Sequence, residues 1–179
     1  MKMTGELDTA LIQRVSQGDK GAMRILYDRY APNLRRFITR WIANENDASD
    51  VLHDTMIDVW RSAERFAGRS SVKSWMFSIA RNKAIDRNRK GVRTVFGEPD
   101  LDAKDDGPQP EELMSAFQDA AQVRACVDKL SPPQKAAIHL AFFEDLTYQG
   151  IAEIEKCPVG TVKTRIMHAK KQLLRCLSG

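Results

Sequence analysis

At 179 residues the chain has room for one full domain or two small ones. Its 42% apolar and 29% charged content describes a soluble globular protein. No apolar run approaches the roughly 20 residues needed to cross a bilayer, and the opening Met1-Lys2-Met3-Thr4-Gly5-Glu6 has no apolar signal core. A cytoplasmic protein without membrane insertion is therefore expected. The net charge of +4 conceals a segregation. Ten Lys or Arg lie between Arg61 and Arg93 against Glu64 and Asp86, seven acids lie between Glu98 and Glu112 against Lys104, and five basic residues and no acid lie between Pro158 and Leu177. Two basic blocks around an acidic stretch suit a polyanion held by two separate surfaces.

Helical periodicity dominates both ends and strand-type alternation is absent, which predicts an all-α fold. The first helices are expected over Asp8 to Gln17 and from the N-cap Asp19 to Tyr30, with Pro32 opening a third through Leu34, Phe37, Ile38 and Trp41. Asn46 or Asp47 can cap a fourth, in which Val51, Leu52, Thr55, Met56, Val59 and Trp60 form one buried stripe ending near Glu64. Phe66-Ala67-Gly68-Arg69-Ser70 breaks the pattern, and Ser71 can cap a fifth helix carrying Val72, Trp75, Met76 and Ile79 inward.

Apolar density collapses between Lys90 and Pro110, where Gly and Pro accumulate among acids, so a flexible acidic linker is predicted over residues 93–112. It separates two small helical domains, residues 1–92 and 113–179. Helicity resumes near Glu111 and runs to Lys129, after which Ser131-Pro132-Pro133 opens a helix with Ala137, Ile138, Ala141 and Phe142 as its apolar positions. Thr147 caps a short helix with Tyr148, Ile151 and Ala152 inward. A turn at Lys156-Cys157 follows, and Pro158 opens a longer helix to about Leu177. The three cysteines, Cys126, Cys157 and Cys176, are odd in number and form no C-x-x-C pair. They read as reduced and buried, without metal or disulfide.

In the final helix Val159, Val162, Ile166, Ala169, Leu173 and Leu177 make one core stripe. The opposite face then shows Gly160, Lys163, Thr164, Met167, His168, Lys171 and Arg175. A helix of this kind fits the major groove, with its N-terminal half placed for base contacts. Lys163, Thr164, Met167 and His168 are thus the candidate readers, while Arg165, Lys170 and Lys171 suit phosphates. In the front domain, Phe66, Gly68, Arg69, Ser70 and Ser71 form a polar loop before a helix exposing Asn82, Lys83 and Arg87, a composition that can hold an extruded base and its backbone. A solvated loop with incidental charges is an equal reading of these residues alone. Asp47, Asp50, Asp54 and Asp58 repeat at three, four and four, so mutual repulsion calls for compensation by a basic partner surface or a metal. No second helix supplies the other half of a metal centre beside Asp50 and His53.

The stretch Asp50-Val51-Leu52-His53-Asp54-Thr55-Met56-Ile57-Asp58-Val59-Trp60, then Phe66-Ala67-Gly68 and Trp75 to Asp86, resembles the second conserved region of extracytoplasmic function sigma factors of bacterial RNA polymerase. Leu130-Ser131-Pro132 and Cys157-Pro158-Val159-Gly160-Thr161-Val162-Lys163-Thr164-Arg165 resemble their fourth region. The resemblance implies a monomeric factor with no catalytic residues and no cofactor, whose partners are core RNA polymerase, promoter DNA and an anti-sigma protein. It implies that Asp47, Asp50, Asp54 and Asp58 dock on the polymerase. Phe66, Gly68, Arg69, Ser70, Ser71, Asn82, Lys83 and Arg87 would take the −10 element, and Lys163, Thr164, Arg165, Met167, His168 and Lys171 the −35 element. Relatives usually place an apolar residue and a Gly where this chain has Glu155 and Lys156, and a non-Gly residue in a left-handed turn costs about 1 kcal/mol. Gly150, inside a short helix, carries a similar cost of up to about 1 kcal/mol. A conventional helix-turn-helix regulator, with a sensing front domain and a dimeric operator, is the alternative reading.

Overall fold

The computed structural model describes residues 2–91 and 120–178. The chain divides into two compact units, the first carrying the helices up to Gly91 and the second most of the chain from Ala120 on. Among the described residues the regular structure is helical and no strand forms. The predicted linker at 93–112 and the restart of helicity near Glu111 lie outside the described residues.

In the first unit, α1 (Lys2–Ser16) and α2 (Lys20–Ile38) form a hairpin. Gly18, at φ +86°, turns the chain between them without a Cβ penalty. Asp19 then caps α2 by accepting the Ala22 N–H at 3.0 Å. Asp8, buried on α1, receives Arg29 and the Tyr30 hydroxyl from α2, which fixes the register of the pair.

Pro32 does not open a new helix as expected; α2 runs through it. Proline there removes one helical hydrogen bond and crowds the preceding turn, at a cost of about 3 kcal/mol. One continuous face buries Ala22, Leu26, Tyr30, Ala31, Leu34, Phe37 and Ile38. At roughly 1.5–3 kcal/mol for each large side chain removed from water, that face outweighs the local loss.

α3 (Glu45–Ser62) is capped two or three residues earlier than expected, by Asn44, whose side chain accepts from the N–H groups of Asn46 and Asp47 at 2.9 and 3.1 Å. Its stripe is buried as predicted from Val51 to Val59, although Trp60 is only half-buried. A 3-10 turn at Ala63–Arg65 ends it. α4 (Val72–Gly91) packs against α3 and α2. Its inward face is Val72, Met76, Phe77, Ala80 and Ala84, whereas Trp75 and Ile79 are half-buried. Phe77 meets Phe37 edge to face at 5.2 Å, tying α4 to α2.

The second unit holds α5 (Ala120–Asp128), α6 (Pro132–Ile138), α7 (Tyr148–Glu155) and α8 (Val159–Leu177). Gln134 accepts the Ser131 N–H at 3.0 Å, half of a capping box at the start of α6. A π-helical turn at His139–Phe143 follows α6. The wider turn slips the helical phase, so Leu140 is buried while Ala141 is half-buried and Phe142 exposed, against the predicted stripe. His139 and Glu144, five residues apart, are both buried with Nε2 and Oε1 at 3.4 Å. α5 and α6 pack on α8.

The cysteines depart from the expectation of three thiols. Cys126 of α5 and Cys176 of α8 are joined by a disulfide, with Cα atoms 5.8 Å apart. Their separation of 50 residues concealed a pairing that the packing of α5 on α8 creates. Cys157 stands outside it, with Arg165 Nη1 3.6 Å from its sulfur.

Candidate nucleic-acid interfaces

α7, the turn and α8 make a helix-turn-helix. Thr147 caps α7 by accepting the Gly150 N–H at 3.2 Å. Ile151, Ala152 and Ile154 point into the core, but Tyr148, expected inward, is exposed. Lys156 ends α7 at φ +52° and ψ +44°, the left-handed turn that the family resemblance implies at the position where relatives usually have glycine. Pro158 takes the cap position and α8 begins at Val159.

Along α8, Val162, Ile166, Ala169 and Leu173 are buried and the ends of the stripe, Val159 and Leu177, are half-buried. Lys163, Lys171 and Arg175 are exposed on the other side, with Thr164, Arg165, Met167 and His168 half-buried between. The Thr164 hydroxyl donates to the Gly160 carbonyl at 3.0 Å, which leaves its lone pairs for a ligand. His168 keeps Nε2 buried and without a hydrogen-bond partner. Lys170 is a correction to the phosphate set: it is 7% exposed, with Nζ 5.5 Å from the Phe142 ring, so it belongs to the packed side.

In the first unit the loop from Phe66 to Ser71 leads from the 3-10 turn into α4. Phe66 rests against Trp75, with ring centroids 5.2 Å apart. Gly68 takes φ +67° with no atom within 4 Å of a built Cβ, so the left-handed backbone rather than crowding requires glycine. Arg69 and Ser71 are exposed and Ser70 half-buried. Ser71 also caps α4, accepting the Ser74 N–H at 3.0 Å.

The structure joins two residue sets that the sequence kept apart. Lys83 of α4 pairs with Asp58 of α3 at 2.7 Å, and Arg87 pairs with Asp47 at 2.5 Å and Asp50 at 3.5 Å. The hydrogen bond and charge of Asp47 raise the Arg87 pKa above its ordinary value, so the guanidinium stays charged throughout. The compensation required by the acidic repeat thus comes from α4 itself. Asp54 is exposed and makes no ion pair within 4 Å among the described residues, although its charge adds to the field that holds Arg87 protonated. Asn82, half-buried, makes no hydrogen bond to the 66–71 loop among the described residues.

Sequence reasoning missed a cavity of about 300 Å3 between α1 and the loop after α3, lined in part by Ile12, Gln13, Ser16, Glu64, Phe66 and Gly68. The signal available was Glu64, one of the two acids in the first basic block.

Residues 26–94 match the family model for sigma-70 region 2, and residues 120–173 that for sigma-70 region 4. An ECF RNA polymerase sigma-E factor of Haemophilus influenzae is 35% identical over 93% of this chain and 93% of its own length. The RNA polymerase sigma-H factor of Pseudomonas aeruginosa is 30% identical over 98% of this chain and 96% of its own. The fold resembles that of the sigma factor RpoE solved with the anti-sigma factor NepR from Bartonella quintana, at a TM-score of 0.66, with 24% identity over 87% of this chain and 96% of that one. No described helix is long and apolar enough to cross a membrane. With its two matched regions in the same order and relatives aligned along nearly its whole length, the chain belongs to the ECF RNA polymerase sigma factors.

Proposed function

We infer that this sigma factor binds core RNA polymerase and directs it to promoters with two separated elements. Residues 1–92 would serve polymerase and the −10 element, residues 93–112 would tether, and residues 113–179 would read the −35 element. On the −35 side, Lys163, Thr164, Met167 and His168 read base edges from the first half of α8, with Arg165 and Lys171 on phosphates. On the −10 side the Phe66–Ser71 loop, Asn82, Lys83 and Arg87 take the melted strand. Asp54, with Asp47, Asp50 and Asp58 behind it, docks on a basic polymerase surface. The chemistry of bond making belongs to the polymerase, and this chain contributes recognition and melting.

The observation that carries this reading is α8: a helix with an acid-free, cation-bearing face set behind a tight turn, on a chain that also bears a glycine-turned loop leading into a basic helix. An anti-sigma partner is part of the proposal, because the solved RpoE of similar fold is bound to one. Such a partner would cover the acidic helix and α8. The protein would act in the cytoplasm, where promoter DNA lies, as a monomer on an asymmetric site.

Run-off transcription with core polymerase on a promoter library, with and without the protein, tests the reading. Transcripts from defined starts that appear only with the protein are expected. No stimulation on any promoter, with dimeric binding to a palindromic duplex, would establish the conventional regulator instead.

A further inference from the structure

The Cys126–Cys176 bond supplies a restraint that the packing of α5 does not. Of the α5 side chains from Gln122 to Asp128, Cys126 alone is buried, at 2% exposure, while Val123 and Val127 are half-buried. Nine residues are too few for a helix to persist in water on propensity, which takes about 12–15. The other ties from this end of α5 are thin. Lys135 reaches the exposed Asp128 at 3.6 Å, a surface pair worth little, and the Gln172 amide donates to the Lys129 carbonyl at 3.4 Å. From Leu130 onward the unit has a core of its own, with Leu130, Leu140, Ile151, Ile154, Ile166 and Leu173 buried. The covalent bond is thus the main restraint on α5, and the fold around the reading helix does not depend on it.

The two sulfurs are unequally placed for attack. Cys126 is closed off, whereas Cys176 is half-buried near the end of α8, with the Lys129 ammonium 3.5 Å from its Sγ. A thiolate is the attacking species in disulfide exchange, and that cation draws it to Cys176. The attacking sulfur bonds to Cys176 Sγ, the Cys126–Cys176 bond breaks, and its electron pair leaves on Cys126 Sγ, which takes a proton from water. The second thiol of a dithiol then displaces Cys176. Two electrons and two protons pass to the chain, and the reductant departs as its own disulfide. In a chain acting in the thiol-rich cytoplasm, such a bond is one that opens and closes.

We propose that Cys176 Sγ is an exchange site for a dithiol protein reductant, and that its bond with Cys126 sets where the tether is anchored on the second unit. The proposal rests on the sigma-factor reading above and adds regulation to it. With the bond closed the unit is held from Ala120 on; with it open α5 joins the tether and the unit is held from Leu130 on. Nine helical residues span about 14 Å and the same residues extended up to about 30 Å, a gain equal to roughly four base pairs of duplex. A tether too short for two sites forbids their joint occupation, so the reduced chain accepts promoters whose two elements stand farther apart.

Hydrogen exchange on the full chain, below its melting transition, tests the restraint. The oxidised wild type should protect amides 122–129 at least tenfold or so more than Cys176→Ser or the dithiothreitol-reduced wild type, while amides 151–173 differ by less than about threefold. Glutathione followed by an iodoacetamide quench maps the attack: peptide masses should place glutathione on Cys176 and the alkyl group on Cys126. Open-complex yield with core polymerase, on promoters whose spacing is lengthened stepwise, reads the tether. At about three added base pairs the oxidised wild type should fall roughly tenfold below its optimum, and Cys176→Ser should stay within about threefold of its own. Equal protection of α5 with and without the bond, glutathione on Cys126 instead, or one spacing preference in both states each overturns the proposal. If neither state opens any promoter, the sigma-factor reading has failed and takes the spacing claim with it, while the exchange data still decide whether the bond holds α5.

Discussion

Reducing the Cys126–Cys176 disulfide should destabilise the second unit and leave the first unmoved. The bond closes a loop spanning 50 residues between α5 and α8. On the chain-entropy account, a loop of that length restricts the unfolded chain by about 4 kcal/mol at 25 °C, between the values for short and hundred-residue loops. Native disulfides commonly deliver about 2–4 kcal/mol, and a small unit of this size loses about 4–8 °C of Tm per kcal/mol. A fall of about 10 °C or more is therefore expected. The distribution of tryptophan makes the assay selective, because Trp41, Trp60 and Trp75 all lie in the first unit and the second has none. Ellipticity at 222 nm follows both units, while tryptophan emission follows the first alone. Melting the oxidised chain, the dithiothreitol-treated chain and Cys176→Ser should move the ellipticity transition that is silent in emission. A thiol titration finding three free thiols in the untreated protein, or an ellipticity transition indifferent to reduction, would refute the reasoning.

Lys156→Gly should raise the stability of the second unit by up to about 1 kcal/mol, because the left-handed conformation it relieves is free for glycine; chemical denaturation followed by ellipticity checks this. Asp19→Asn should flatten the acid limb of the stability profile. The Ala22 amide first, and then the Arg14 side chain, hold the Asp19 carboxyl below its ordinary value. Its contribution is therefore full above the unfolded-state value and lost as pH falls through the lower folded one, so the wild type and the variant should diverge above about pH 4 and converge in acid. Lys83→Ala should cost the first unit about 0.5 kcal/mol at low salt, since its pair with Asp58 is only partly screened from water, and the difference should shrink in 1 M salt. Lys163→Ala should weaken duplex binding to the −35 element by about 1–3 kcal/mol and relax discrimination at one base pair in a binding titration, whereas Asp54→Ala should lower polymerase affinity on the order of tenfold and leave that titration unchanged.

The parts of the molecule governed by local periodicity were readable from the residues. The α3 stripe, the Asp19 and Thr147 caps and the buried side of α8 all follow from spacing and cap chemistry, while the left-handed Lys156 was expected from the family resemblance alone. What escaped was decided between elements. Pro32 reads locally as a helix start, yet the buried face from Ala22 to Ile38 carries α2 through it. The π-helical turn after Ile138 is invisible because an ordinary helix and a slipped one share the same apolar composition, and only the burial of Leu140 beside the exposure of Phe142 reveals the slip. Cys126 and Cys176 are paired by helix packing, and so are Lys83 with Asp58 and Arg87 with Asp47. Lys170 looked like a phosphate ligand because its charge said so, while its place on α8 put its stem in the core. The candidate interfaces were legible as residue types. Which acids and cations neutralise each other was not.

The shared ion pairs across α3 and α4 have an evolutionary corollary. On the roles proposed above, a drift that strips Lys83 or Arg87 to loosen the grip on a melted strand would also bare Asp58 or Asp47, and so strengthen the acidic face offered to the enzyme. Promoter preference and competitiveness for a limited pool of polymerase would then be yoked, and selection on either trait would drag the other along.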